Sequence, residues 1–207
     1  MILETVHVGP MQVNCYILAC KDNAEALIID PGDQAKKIRK VLQAHALDPV
    51  LVVNTHGHYD HIGCDQEFKV PVCVHKDDAG FLSDPSLNLS AFFAQPCRVN
   101  STLRLVEDND LIEAAGFSLK VIHIPGHTPG GMAVLMQKPE TDILFSGDSL
   151  FSGSIGRTDL PGGDSGALVR AIREKLLVLA DETIVYPGHG EFTTIGAEKR
   201  NNPFLRC

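Results

Sequence analysis

Apolar residues along this chain come in short runs that break into polar or glycine-rich turns. Asn14-Cys15-Tyr16-Ile17-Leu18-Ala19 and Glu25-Ala26-Leu27-Ile28-Ile29 read as a strand pair turning at Lys21-Asp22-Asn23. Asp30-Pro31-Gly32 ends the second run, and a helix is predicted from about Asp33, with Ile38, Val41 and Leu42 on one face. Residues 50–53 and 70–74 read as further strands, whereas 83–102 show no period. That stretch contains Asn88-Leu89-Ser90-Ala91-Phe92-Phe93, and a long segment with two aromatics is expected to form either a pocket wall or lid, or a satellite of the core. In the second half, strands are predicted near 103–106, 110–114, 117–124, 132–137 and 142–146. A helix of about 15 residues follows from Asp164 or Ser165, with Leu168, Ile172, Leu176 and Leu179 on its apolar face. Residues 183–186 form a last strand, and a short helix starts near Thr194.

Consecutive strands, expected to be antiparallel, are broken by a few helices in two similar halves. This pattern predicts an α/β fold of the αββα sandwich type: two packed, mixed β-sheets with helices on the outer faces. No linker or low-complexity stretch interrupts residues 1–207, which are read as a single domain.

Composition narrows the function classes. With 207 residues, 44% hydrophobic and 21% charged, the chain can bury a core without covalent staples. A formal net charge of -8 argues against nucleic acid as a partner. The densest basic run, Lys36-Lys37-Ile38-Arg39-Lys40, lies on a predicted helix and reads as its solvated face. Met1-Ile2-Leu3-Glu4-Thr5-Val6 has no signal-peptide pattern, and no apolar run approaches the roughly 18 residues needed to span a bilayer. The six cysteines are then expected to be reduced, mostly small buried hydrophobes, in a cytoplasmic protein that does not engage membranes.

The densest chemistry is Thr55-His56-Gly57-His58-Tyr59-Asp60-His61, directly after the apolar run 50–53. Imidazole and carboxylate suit zinc, iron and manganese. Four other apolar runs end in the same way, in a glycine-bearing turn next to a potential ligand: Asp30-Pro31-Gly32, Gly126-His127, Gly147-Asp148 and Gly188-His189. Strand ends hold such side chains rigidly while the loops leave one side open. In an extended segment residues two apart point the same way, so His56 and His58 can share one metal. Asp60 and His61 fall where the chain would turn into a helix, and suit a second. The seven candidate ligands are His56, His58, Asp60, His61, His127, Asp148 and His189, more than one tetrahedral zinc uses. Two divalent ions are expected, zinc first, with iron and manganese compatible.

These motifs resemble the metallo-β-lactamase fold, and most closely the single-domain members of the glyoxalase II group (hydroxyacylglutathione hydrolases). The pattern H-x-H-x-D-H appears as His56-Gly57-His58-Tyr59-Asp60-His61, followed in order by Gly126-His127-Thr128-Pro129-Gly130, Gly147-Asp148 and Gly188-His189-Gly190. The resemblance implies that His56, His58 and His127 hold one metal and Asp60, His61 and His189 the other. It also implies that Asp148 bridges them and that Asp30 orients ligands without binding metal. It implies hydrolysis of a thioester such as S-lactoylglutathione by a metal-bridging hydroxide, with Asp60 and Asp148 as catalytic residues. A small-molecule thioester is the expected partner, and no oligomeric state can be read from the sequence.

The substrate signal is weaker. Where glutathione-specific glyoxalase II carries a Lys and a Tyr, this chain has Arg157 and Asp159, and it stops at Phe204-Leu205-Arg206-Cys207 without the family's helical C-terminal domain. Arg157 can bind a substrate carboxylate through its planar fork, or it can pair with Asp159 or Asp164. The same Gly-Arg-Thr-Asp element also resembles persulfide dioxygenases, which implies an alternative: a single iron on His56, His127 and Asp148. True β-lactamases fit less well, since they usually carry cysteine at the Asp148 position. Nucleases fit poorly with the acidic charge. His7, His45 and His75 lack ligand-spaced neighbours and are expected at the surface or at strand ends; His123 is expected in the core or behind the ligands. Ser152 and Ser154 show no nucleophile pattern. Cys64 replaces the family's usual glycine and is expected to pack as a small residue near the site.

Overall fold

In the computed structural model, residues 1–20, 24–93, 96–139 and 142–206 are described, so the turn at 21–23 falls outside them. Side-chain alternation explains the layering. Every residue of the strand Val13–Ala19 is buried, because its two faces serve different cores. Cys15, Ile17 and Ala19 pack with Ile38 and Leu42 of a covering helix. Tyr16 and Leu18 point the other way, onto Leu119, Val134 and Phe145 of a second sheet. The second sheet's outer face, with Leu144 and Val185, packs on Leu168, Ile172 and Leu176. Three apolar layers between helix, sheet, sheet and helix make the αββα sandwich.

The first sheet contains β1 (Ile2–Val8), β2 (Val13–Ala19), β3 (Glu25–Ile29), β4 (Asp48–Val53), β5 (Val72–His75) and β6 (Leu103–Val106), in that order. β7 (Leu111–Ala114), β8 (Phe117–His123), β9 (Met132–Lys138) and β10 (Ile143–Gly147) open the second sheet. A ribbon of β11 (Leu150–Phe151) and β12 (Ser154–Ile155) follows, then β13 (Ile184–Pro187) and β14 (Thr193–Thr194). The second sheet's order is β14-β13-β10-β9-β8-β7. The helices are α1 (Ala35–Ala44), α2 (Tyr59–Ile62), α3 (Asp65–Phe68), α4 (Ser90–Phe93), α5 (Ser165–Ala171) and α6 (Ile195–Asn201).

Three expectations need correction. The strands are not uniformly antiparallel: β3–β4, β4–β5, β5–β6 and β10–β13 pair in parallel. Runs such as Leu51-Val52-Val53 are buried on both faces, so their sequence carries no alternation from which direction could be read. The N-terminal segment, assigned no element from sequence, is the edge strand β1, with all seven residues paired to β2. Its polar Glu4, Thr5 and His7 weaken the apolar pattern. The long helix after Asp164 is α-helical only to Ala171 and continues as a π-helical turn over Ile172–Leu176. Asp164 caps its start by accepting the Ala167 N–H at 2.9 Å. Among the described residues, no helix is long and apolar enough to cross a membrane.

The parallel pairings decide where the strand ends lie. β3 runs parallel to β4, and β10 to β13, so the C-terminal ends within each pair share one edge. β8 is antiparallel to β9, which is antiparallel to β10, so β8 also ends on that edge. Asp30, His56, His127, Asp148 and His189 all follow C-terminal strand ends.

Candidate metal centre

The two sheets bring all seven predicted ligands together. Ligand atoms of His56, His58 and His127 lie within 4.8 Å of one another, as do those of Asp60, His61 and His189, and those of His56, His61 and Asp148. Asp148 lies between the first two sets: Oδ1 is 3.4 Å from His61 Nε2, and Oδ2 is 3.6 Å from His127 Nε2 and 3.5 Å from His189 Nε2. His58 stands at the N-terminal end of α2, and Asp60 and His61 fall in its single turn, with the His61 ring 4.2 Å from that of His56.

Hydrogen bonds behind the rings show which nitrogens face inward. His127 Nδ1 lies 2.8 Å from the Arg157 carbonyl and His189 Nδ1 3.0 Å from the Met11 carbonyl. A carbonyl only accepts, so both Nδ1 atoms carry hydrogen and, in the neutral rings, both Nε2 atoms are bare. His61 Nδ1 donates to Asp30 Oδ2 at 3.0 Å. Thr55 Oγ1 gives its hydrogen to Asp30 Oδ2 at 2.7 Å, and so accepts from His56 Nδ1 at 3.2 Å. His56 Nε2 and Asp148 Oδ1 are buried without any hydrogen-bond partner. His61 and His189 Nε2 approach to 3.4 Å, so between them lies either a hydrogen carried by His61 or, once that proton is displaced, a cation. The donor chemistry therefore fits divalent metal, with rings oriented from behind by carboxylate or carbonyl.

Electrostatics agree. Burial, reinforced by His127, lowers the His58 pKa to about 3, and burial with the nearby His61 and His127 rings lowers that of His56, so both rings are neutral, the form a metal ligand needs. Burial opposes ionisation of Asp60, but His61 and His189 outweigh it and hold this carboxyl well below the usual range. Burial also disfavours charge on His61, yet Asp148, Asp30 and Asp60 raise it to about 10. Without metal these carboxylates thus attract a proton to His61, which a metal ion would displace.

Asp30 is placed as expected, behind His61 and Thr55. Several positioning residues were not legible in the sequence. Asp78, on the turn after β5, accepts the Gly57 N–H at 2.9 Å, the Gly130 N–H at 2.6 Å and the Thr128 hydroxyl at 2.7 Å. It ties the loop bearing His56 and His58 to the loop bearing His127. Asn14 Nδ2 donates to the Pro187 and Gly190 carbonyls, and Tyr16 donates to Pro187, fastening the His189 turn to β2. Asp78 carries no mark of this role in the sequence and stands three residues past His75, at the end of β5. His75 is buried at that strand end and stacks on His123 at 3.9 Å, while His123 Nε2 donates to Pro129, propping the His127 loop from behind. Cys64 packs in the core under α1 and does not line the cavity in front of the ligands.

That cavity, of about 480 Å³, is lined by His58, Asp60, His127, Asp148 and His189 on its floor, and by Phe92, Phe93 and Arg157 at its mouth. Of the aperiodic 83–102 stretch, Leu89, Phe92 and Phe93 wall the cavity, while Val99 and Cys97 pack on the first core. Arg157 reaches the mouth, but its Nε and Nη2 each donate to Asp159 at 2.8 Å. Asp164, the other candidate partner of Arg157, caps α5.

Residues 8–189 match the family described as the Metallo-beta-lactamase superfamily. A curated relative from Haemophilus influenzae, named hydroxyacylglutathione hydrolase GloC, is 36% identical over 99% of this chain and 98% of its own. Among solved structures, the B3 metallo-beta-lactamase BLEG-1 superposes with a TM-score of 0.91 at 40% identity, covering 99% of each chain. A di-iron-bound form of the protein TTHA1623 gives 0.84 at 37%, covering 98% of this chain and 100% of that one. ETHE1 from Myxococcus xanthus gives 0.80 at 26%, covering 98% and 84%.

Proposed function

The chain belongs to the metallo-beta-lactamase superfamily, and on that premise we propose that it is a dinuclear metal hydrolase that cleaves a small-molecule thioester. In this reading His56, His58 and His127 hold one ion, Asp60, His61 and His189 hold the other, and Asp148 is shared. The observation that carries it is the pair of donor sets facing each other across Asp148, with bare nitrogens turned inward. Zinc is the proposed occupant; iron is the alternative, supported by the di-iron neighbour. The ions would supply a water acidified toward neutral pH and a Lewis acid for the carbonyl.

The chain's own groups do the rest. Ionised Asp60 stands at the cavity floor, where it can accept a hydrogen bond from the attacking water and orient it. Arg157 O and Met11 O hold His127 and His189 from behind, so the rings need no reorganisation. Apart from the donor sets, Tyr59 is the cavity's one weak acid among the described residues, and burial together with Asp60 and Asp33 raises its pKa. A leaving group that needs no proton suits such a site, and a thiolate is one. The GloC relative supports glutathione thioesters as one candidate class among such substrates, and the free thiols fit a reducing, cytoplasmic compartment.

The test is metal quantification on freshly purified protein, run beside hydrolysis of S-lactoylglutathione and of a chromogenic β-lactam, and oxygen uptake with glutathione persulfide. Two ions with thioester turnover are expected. One iron with oxygen consumption would replace this reading with the dioxygenase that the ETHE1 likeness supports. A β-lactam turned over with higher kcat/KM than every thioester would make it a lactamase, as the BLEG-1 likeness supports.

A further inference from the structure

The geometry points to a substrate with an uncharged, apolar arm lying on Met11, Leu89, Phe92 and Phe93, and not to a charged tripeptide as the group recognised at the mouth. The inference rests on the thioester reading above and names the class of thioester.

Three observations carry it. The cavity's volume of about 480 Å³ lies in the range of small-molecule sites, and its floor is the donor cluster itself. Away from that floor, Met11, Leu89, Phe92, Phe93, Leu160 and Pro161 supply an apolar wall. Phe92 is 72% exposed, Phe93 60% and Met11 40%. Single exposed aromatics such as Phe192 and Phe204 are ordinary on a protein surface. Here three large apolar residues meet at one cavity, and the panel is built: Phe93 stacks on Tyr59 at 5.3 Å, and the Tyr59 hydroxyl lies 3.9 Å from Met11 Sδ. Apolar area gathered over a reactive floor is area that a ligand covers.

The third observation concerns charge. Arg157 is the cavity's one guanidinium or ammonium among the described residues. Its fork is closed on Asp159 by two 2.8 Å hydrogen bonds. Arg157 in turn holds the Asp159 pKa to about 2, so the pair is neutral throughout the working pH range. Glutathione carries two carboxylates, and in a chain of net charge -8 they find no free cation at this mouth. An apolar arm gains about 0.8 kcal/mol for each methylene buried on the wall, or roughly a fourfold factor in kcat/KM.

The metal-loaded protein would be assayed with S-acyl-N-acetylcysteamines from acetyl to hexanoyl and phenylacetyl, with the glutathione thioester of each acyl group, and with S-acetyl alkanethiols of rising length. We expect kcat/KM to rise at least tenfold along one of the two neutral series, and no glutathione thioester to exceed its neutral counterpart. The variant F92A/F93A, checked for wild-type metal content, should lose that length response. Calorimetric titration with S-hexyl-N-acetylcysteamine and S-hexylglutathione, which cannot be hydrolysed, should favour the neutral thioether. Thioester hydrolysis with flat series, or with glutathione thioesters preferred tenfold, overturns this inference and leaves the hydrolase reading standing. No hydrolysis of any thioester overturns both.

Discussion

Asp78→Asn is the most telling perturbation of the metal centre, because Asp78 touches no ligand side chain yet joins both ligand loops. Asp78 Oδ1 accepts from Gly130 N at 2.6 Å, and Oδ2 accepts from Gly57 N at 2.9 Å and Thr128 Oγ1 at 2.7 Å. Asparagine keeps one acceptor oxygen. Placed on Gly57 and Thr128, it turns its amide N–H₂ against the Gly130 N–H, losing one charge-assisted hydrogen bond and leaving a buried donor unpaired. The lost bond is worth about 1.5–3 kcal/mol and the orphaned donor about 1–3 kcal/mol. The two remaining bonds weaken on losing the charge. Against this, burial already raises the Asp78 pKa, so removing the charge returns part of a desolvation cost. The net expectation is a loss of about 2–4 kcal/mol in fold stability. Because Gly57 separates His56 from His58 and Gly130 follows His127 by three residues, metal affinity should also fall, by about 10–100-fold. Guanidinium unfolding of metal-free and metal-loaded protein, with a metal-competition titration, measures both. By linkage, the metal-loaded protein should be destabilised further than the metal-free one, by the metal-binding energy lost. Stability within about 0.5 kcal/mol of wild type, the size of an ordinary surface effect, together with unchanged affinity, would refute the tie between the loops.

Three further outcomes follow from the same geometry. Asp148→Asn replaces the carboxylate that faces both donor sets, and should lower hydrolysis at least about a hundredfold with loss of metal; both ions at wild-type occupancy would argue against sharing. Gly188→Ala would place a Cβ 2.2 Å from Asp148 Oδ1 and 2.8 Å from His61 Cε1. Elemental analysis should then show fewer than two ions per chain, and two retained ions would count against this packing. In metal-free protein the His61 pKa is raised from 6.5 to about 10. Its contribution is therefore full below about pH 6.5 and is lost as pH rises through about 10. Between those limits the unfolding free energy from urea titrations should fall with a slope of about 1.4 kcal/mol per pH unit from this group, a slope that metal-loaded protein, with the proton already displaced, should not show.

Much of the site was legible before the fold. His56, His58, Asp60 and His61 are crowded after one strand end, and Asp30, His127, Asp148 and His189 each close an apolar run within two residues of a glycine. That repeated grammar reflects local physics: a rigid strand, a sharp turn and a side chain released at its tip. The residues that hold the ligands were not legible, because a ligand's partner is defined across the fold and not along it. Asp78 reaches Gly130 from 52 positions away, and Asn14 reaches Pro187 from 173. The substrate side was ambiguous for a related reason. Whether Arg157 offers a free fork or a closed one depends on the rotamer that Asp159 accepts, which spacing does not determine.

The sequence by itself determined the helix–sheet–sheet–helix layering and which residues are candidate metal donors, since hydrophobic period and ligand chemistry are local properties. Only the tertiary structure decided that the donors converge. That required β3 with β4, and β10 with β13, to run parallel. Strands buried on both faces carry no sequence mark of direction, so the pairing is set by how crossovers and sheets pack together.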